Sequence, residues 1–218
     1  YAMFTIPPSL DTFLNSVKLS LSYDILKCTV KWGKSHVTFW KQKKTEEAPI
    51  APTHHIPRLC TDQEHPGVDG DAAEVYGFSL LDYCMEHQNV VLLGEAGCGK
   101  TQELQWMEFC CYKDVNLPRA VRIPLRTYSD ESMAELARQR GVEPENQENL
   151  LFLIDGFDEI AGVHKQNFLK QAALYQQENK EARFLISTRN HFYRAGLFGE
   201  AFEVVWMQPL TESDIECY

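Results

Sequence analysis

From about residue 74 onward, short runs that are apolar at nearly every position alternate with longer stretches of mixed polarity. Residues 90–93, 150–154 and 183–187 are near-continuous apolar runs, the pattern of strands covered on both faces. Two further strands are predicted at 121–126 and 203–207, and the central runs extend to 150–155 and 182–188. Between them, apolar residues three and four apart predict helices over 74–87, 100–112, about 130–140, and 164–179. Strands that alternate with helices pair in parallel through crossover connections. The expected fold class is α/β: a three-layer sandwich around a central parallel five-stranded sheet. In such a sheet the loops at the carboxyl ends of the strands form the site.

Upstream the rhythm differs. Leu10, Phe13, Leu14, Val17 and Leu21 fall on one stripe of a helix predicted over 9–21, with Ser9 as its N-cap. Residues 22–42, with Trp32, Phe39 and Trp40, fit one or two more helices or a short hairpin after Gly33. Residues 43–58 are rich in charge and proline and read as a linker. The expected organisation is therefore a small, mostly helical N-terminal segment over 1–60, a main domain over 61–208, and the start of another domain at 209–218. Charge supports the division: residues 1–58 hold eight Lys/Arg against four Asp/Glu, whereas 59–218 hold thirteen against twenty-seven. The overall charge of −10 argues against a general nucleic-acid surface. No run of 18 apolar residues is present, so no membrane span is predicted. The N-terminus has neither an initiator Met nor a basic region followed by a long apolar one, which predicts an excised piece of a longer chain without a signal peptide. Seven cysteines without framework spacing predict a reducing, cytoplasmic setting.

Candidate chemistry enters with the stretch that follows the first strand. Gly94-Glu95-Ala96-Gly97-Cys98-Gly99-Lys100-Thr101 fits the spacing G-x-x-x-x-G-K-[ST]. Glycines let successive amides turn inward around an anion, and the helix that begins near Lys100 adds its positive end. Lys100 is then placed to reach β- and γ-phosphates, and the Thr101 hydroxyl to ligate Mg²⁺. The run from Gly94 to Thr101, with Gln102 after it, is the predicted nucleotide-binding set. A glycine-rich surface turn is the alternative reading. The run 150–155 ends in Asp155, where a carboxylate beside bound phosphates associates with Mg²⁺, and Gly156 lets the chain turn away. Asp158 and Glu159 follow close enough to orient or deprotonate a water. The triplet Ser187-Thr188-Arg189 closes the next strand, and Arg189 is the candidate sensor of a γ-phosphate.

Together the stretches 94–101, 151–160 and 184–190 resemble the NACHT family of STAND NTPases, a signalling branch of the AAA+-like ATPases. The acidic pattern Asp155-Gly156-Phe157-Asp158-Glu159 carries most of the likeness. The tail from Gln208 to Tyr218 is similar to the segment that opens the helical domain of that family. The resemblance covers about 85–218. It implies an ATP/ADP switch with slow Mg²⁺-dependent hydrolysis and nucleotide-dependent homo-oligomerisation, in immune or antiphage defence. It also implies that ADP-clamping elements of the family lie beyond residue 218, which predicts weakened autoinhibition. Two other functions remain in view: a nucleotide-locked scaffold without turnover, and a P-loop kinase or transport ATPase. No transporter signature, guanine-specific motif or arginine-rich lid favours the last.

Several features have plainer readings. His54, His55, Cys60 and His65 match no zinc spacing and read as linker. Cys110 and Cys111 read as ordinary packing, and Trp106, Phe109 and Tyr112 as core. The lysines between 18 and 44 read as a solvated face. The segment Ile56-Pro57-Arg58 is a candidate neighbour of a bound adenine.

Overall fold

The computed structural model describes residues 48–53, 55–63, 77–147 and 149–210. The helix expected at 9–21, the open reading of 22–42, His54, His65 and the tail after Leu210 lie outside the described residues. Along the described chain the elements are β1 (Leu59–Thr61), β2 (Phe78–Ser79), α1 (Leu80–Glu86), β3 (Asn89–Leu93), α2 (Lys100–Lys113), β4 (Arg119–Pro124), α3 (Met133–Gln139), β5 (Leu150–Asp155), α4 (Gly162–Glu178), β6 (Arg183–Thr188) and β7 (Glu203–Met207).

The strands form one sheet in the order β2-β1-β7-β3-β6-β5-β4. Five of them, β7, β3, β6, β5 and β4, run parallel. The five-stranded expectation is corrected by two antiparallel strands added at the β7 edge, where β1 pairs with both β7 and β2. The reason is length: strands of three and two residues are too short to show a period. Residues 125–126, expected to extend β4, instead belong to a 3₁₀ turn at Leu125–Thr127.

The strict alternation of strand side chains divides the core into two faces. Val90, Leu92, Leu151, Leu153 and Leu185 pack with Leu80 and Cys84 of α1 and Leu104, Met107 and Cys111 of α2. Val91, Leu93, Phe152, Ile154, Phe184 and Ile186 pack with Met133, Leu136 and Ala137 of α3 and Phe168 and Ala172 of α4. Helices thus cover both faces of the parallel strands. That is why β3 and β5 are apolar at consecutive positions instead of alternating.

On α2 the expected core triplet is corrected. The stripe that meets the sheet is Leu104, Met107 and Cys111, while Trp106 and Phe109 are half-buried and Tyr112 is exposed. Two positions separate Leu104 from Trp106, which is about 200° of rotation, so the two residues occupy different faces of the helix. His55 stacks on Trp106 at 4.6 Å, and the Arg119 guanidinium lies over Tyr112 at 5.1 Å. Aromatic rings of this size are held by cover from neighbouring segments as readily as by a core. Burial pushes the Cys111 thiol up to about 12 and the Cys60 thiol likewise, so both serve as small apolar packing groups. Among the described residues no helix is long and apolar enough to cross a membrane.

Candidate functional site

The parallel register sets which strand ends meet. Leu93, the last residue of β3, pairs with Thr188 of β6, and Leu92 pairs with Ser187. Ile154 pairs with Ile186, which sets Asp155 beside Ser187 one step further on. The carboxyl ends of β3, β6 and β5 therefore lie side by side, with β6 between the loop strand and the acidic strand.

The loop after β3 turns through Gly97 and Gly99, whose φ angles of 78° and 101° suit glycine far better than any other residue. Gly99 is the N-cap of α2 and provides no side-chain cap. The first turn of α2 thus starts with amides that have no intrahelical acceptor, at the positive end of a 14-residue helix. Lys100 folds back across the loop, its Nζ donating to the carbonyl oxygens of Gly94 at 2.6 Å and Glu95 at 2.8 Å. The same nitrogen lies 3.6 Å from Cys98 Sγ, which in turn is 3.6 Å from Met207 Sδ. Gly94 is tight: a Cβ there would stand 2.6 Å from Cys98 Sγ. Glu95, Ala96 and Gly97 form the exposed tip, and the Glu95 carboxylate accepts from Asn190 Nδ2 at 2.9 Å.

Thr101, one residue into α2, donates to Asp155 Oδ1 at 3.2 Å. Ser187 Oγ also lies 3.2 Å from that oxygen, and it accepts from the Gly156 amide at 3.0 Å. Three segments far apart in sequence converge on one carboxylate. Gly156 has φ 79°, which lets the chain turn off β5 into the 3₁₀ turn Phe157–Glu159. In that turn Phe157 is buried and anchors the acids on either side. Asp158 is nearly buried and pairs with Arg189 Nε at 3.0 Å. Glu159 is exposed, and its side chain has no hydrogen-bond or ionic partner among the described residues. The candidate sensor Arg189 is therefore turned toward Asp158, and of the two acids Glu159 is the one without a carboxylate partner among the described residues.

Thr101 and Asp155 fit a hard cation. Both offer oxygen, and their 3.2 Å separation is close to the edge of an octahedron with metal–oxygen bonds of about 2.1 Å, roughly 3 Å. A notch lies beside Gly99. A cavity of about 330 Å³ is lined there by His55, Ile56, Arg58, Gly99, Gln102, Glu103 and Leu210. Arg58 ties it to the loop by donating to the carbonyls of Cys98, at 2.6 Å, and Gln208. His55 Nε2 meets Glu103 Oε2 at 2.7 Å in a pair that is almost fully buried. Burial pushes the Glu103 carboxyl up, and the His55 hydrogen bond draws it part of the way back. The linker reading of His55 and Cys60 is corrected: His55 is paired with Glu103 of α2, and Cys60 is buried in the core against the same helix.

Sequence reasoning missed Ser187 as a partner of Asp155, along with Asn190 and the pair formed by Arg122 and Glu108; it singled out Arg58, but not its contacts with Cys98 and Gln208. Ser187 was legible only as part of a polar triplet, because strand parity decides which member faces the carboxylate. The acceptors of Arg58 carry no local signal, since they lie 40 and 150 residues away.

No family model matches the sequence, and no curated protein matches it. The structure is similar to that of PCH-2 from C. elegans, at 12% identity and a TM-score of 0.42, over 62% of this chain and 41% of that one. It is also similar to AMPPCP-bound DnaA from Aquifex aeolicus, at 16% identity and a TM-score of 0.33, over 51% of this chain and 37% of that one. The chain spans about two fifths of the length of each of these two proteins.

Proposed function

We propose that the chain binds ATP and ADP with Mg²⁺ at the carboxyl edge of the sheet and hydrolyses ATP slowly, as a nucleotide-controlled switch. The observation that carries this reading is the convergence of Thr101, Asp155 and Ser187 within 3.2 Å beside the Lys100 loop. In the proposed complex the first-turn amides of α2 and the Lys100 ammonium hold the phosphates. Lys100 exchanges the carbonyls of Gly94 and Glu95 for phosphate oxygens, which are stronger acceptors for a cation. Thr101 and Asp155 would hold Mg²⁺, which would supply positive charge to offset that of the phosphates. Glu159 orients and deprotonates the attacking water, because Asp158 is already committed to Arg189. The cavity next to Gly99 takes the nucleoside, with Ile56 and Arg58 on its wall.

In this reading, residues 61–208 are the nucleotide-binding unit and 209–218 open a helical domain. Homo-oligomerisation through this unit, a cytoplasmic location and a role in immune or antiphage defence rest on the likeness of 94–101, 151–160 and 184–190 to NACHT proteins. Single-turnover hydrolysis tests the core claim. Wild type is expected to hydrolyse ATP at less than about one turnover per second. Glu159→Gln is expected to slow that step by about 100-fold or more while leaving ATP affinity within a few-fold. Equal rates in the two proteins would remove Glu159 from the chemistry. Tight nucleotide with no turnover in wild type would instead favour the locked scaffold.

The metal role has its own signature. Asp155→Asn keeps the shape of the side chain but removes its charge. Nucleotide affinity measured with Mg²⁺ is expected to fall by about tenfold, and affinity in EDTA to fall less or to rise. Equal losses in both buffers would count against Asp155 as a metal-holding group.

A further inference from the structure

The two oxygens of Asp155 have different neighbours. Oδ1 takes the hydroxyls of Thr101 and Ser187. Oδ2 faces a guanidinium, with Arg122 Nη1 at 3.8 Å. Arg122 belongs to β4, where Pro124 pairs with Asp155 and Arg122 with Leu153, so strand parity puts Arg122 and Asp155 on the same face. The guanidinium is fixed from behind by Glu108 of α2. Glu108 Oε2 lies 3.4 Å from Arg122 Nε, and Glu108 Oε1 accepts from the Arg122 amide at 3.0 Å. The helix that begins at the glycine loop thus also anchors this arginine, about two turns later. The Arg122 and Asp155 side chains are only 21% and 12% exposed, so water screens the pair less than it would at an open surface.

Neither the phosphate loop nor the proposed metal pair requires a cation at this place. We propose that Arg122 is a positioning residue that compensates the charge of Asp155 and keeps its Oδ1 turned to Thr101, so that the site accepts nucleotide phosphates even without a divalent cation. The physical reason is repulsion: an uncompensated carboxylate beside a polyphosphate disfavours binding, and Arg122 offsets one unit of that charge. Mg²⁺ must then share Asp155 with the guanidinium. Arg122 narrows the difference between affinity with and without Mg²⁺. This inference rests on the nucleotide reading above.

The test is calorimetric titration of ATP and ADP in excess Mg²⁺ and in EDTA, with the ratio of the two dissociation constants as the readout. Arg122→Gln is expected to widen that ratio by about tenfold, mainly through weaker binding in EDTA, while Arg122→Lys stays within about threefold of wild type. Glu108→Gln is expected to move the ratio the opposite way, because it leaves the guanidinium to Asp155 alone. In an Asp155→Asn background, Arg122→Gln is expected to leave the ratio unchanged. A purely structural arginine would weaken binding equally in both buffers. Ratios within about twofold of wild type in Arg122→Gln, or a shift of the same sign in Glu108→Gln, overturn the proposal. If Arg122→Gln shows no cooperative melt, the sign of the Glu108→Gln shift decides. Wild type that binds no nucleotide in either buffer overturns the nucleotide reading and this inference together, whereas binding with unmoved ratios overturns only the role of Arg122.

Discussion

Lys100→Ala is expected to lower affinity for ATP and ADP by about 100-fold or more. The estimate follows from the loss of charge-assisted hydrogen bonds, each about 1.5–3 kcal/mol, against about 1.4 kcal/mol per tenfold in affinity. The structure adds a second reason. The same ammonium ties the carbonyls of Gly94 and Glu95 together, so its removal also loosens the loop that presents the amides. The fold itself is expected to persist, because Lys100 is half-buried at a helix start and is not part of either core cluster. Calorimetry with both nucleotides, beside a thermal melt of the free proteins, separates the two effects. Unchanged affinity in a folded variant would remove the phosphate role from this loop.

Phe152→Ala is expected to destabilise the protein by about 3–5 kcal/mol, the usual cost of truncating a fully buried aromatic ring. Phe152 is 0% exposed on β5, between β4 and β6. It stacks on Phe184 of β6 at 5.0 Å and meets the edge of Tyr175 of α4 at 5.1 Å. The cavity left by the ring would lie between the sheet and α4, three residues before Asp155. A loss of that size takes a large part of the 5–15 kcal/mol that holds a typical domain together. Urea denaturation monitored by circular dichroism is the measurement, and saturating nucleotide should recover part of the loss by mass action. A shift below about 1 kcal/mol would mean that this face of the sheet is loosely packed.

The two predictions differ in where they could be read. The glycine loop is a local device: its glycines, lysine and threonine lie within eight residues, so spacing alone singled out 94–101 as a candidate. Strand β5 was legible for a related reason. A strand covered on both faces must be apolar throughout, and the polar residue that ends it, Asp155, marks the exit from the core. The pairing of Asp158 with Arg189 needed coordinates, although both residues had been singled out. It turned a candidate phosphate sensor toward an acid and left Glu159 without a carboxylate partner among the described residues.

The aromatic residues of α2 show the limit of periodicity. Trp106, Phe109 and Tyr112 recur at a spacing that suits a core stripe, yet Leu104, Met107 and Cys111 are the ones against the sheet. A helix pattern gives relative angles around the axis and not the absolute direction of the sheet. The two short edge strands fall outside any period for a simpler reason, since β1 and β2 together have five residues.

The sequence by itself determined the alternating α/β architecture, the place of the glycine loop after β3 and the acidic strand end, because each is encoded by residues close together in the chain. Only the tertiary structure decided that Thr101, Ser187 and Arg122 share one carboxylate, and that His55 and Arg58 wall a cavity beside Gly99. Those contacts depend on strand order and register, which are fixed by packing across the whole sheet and leave no mark in any local stretch of residues.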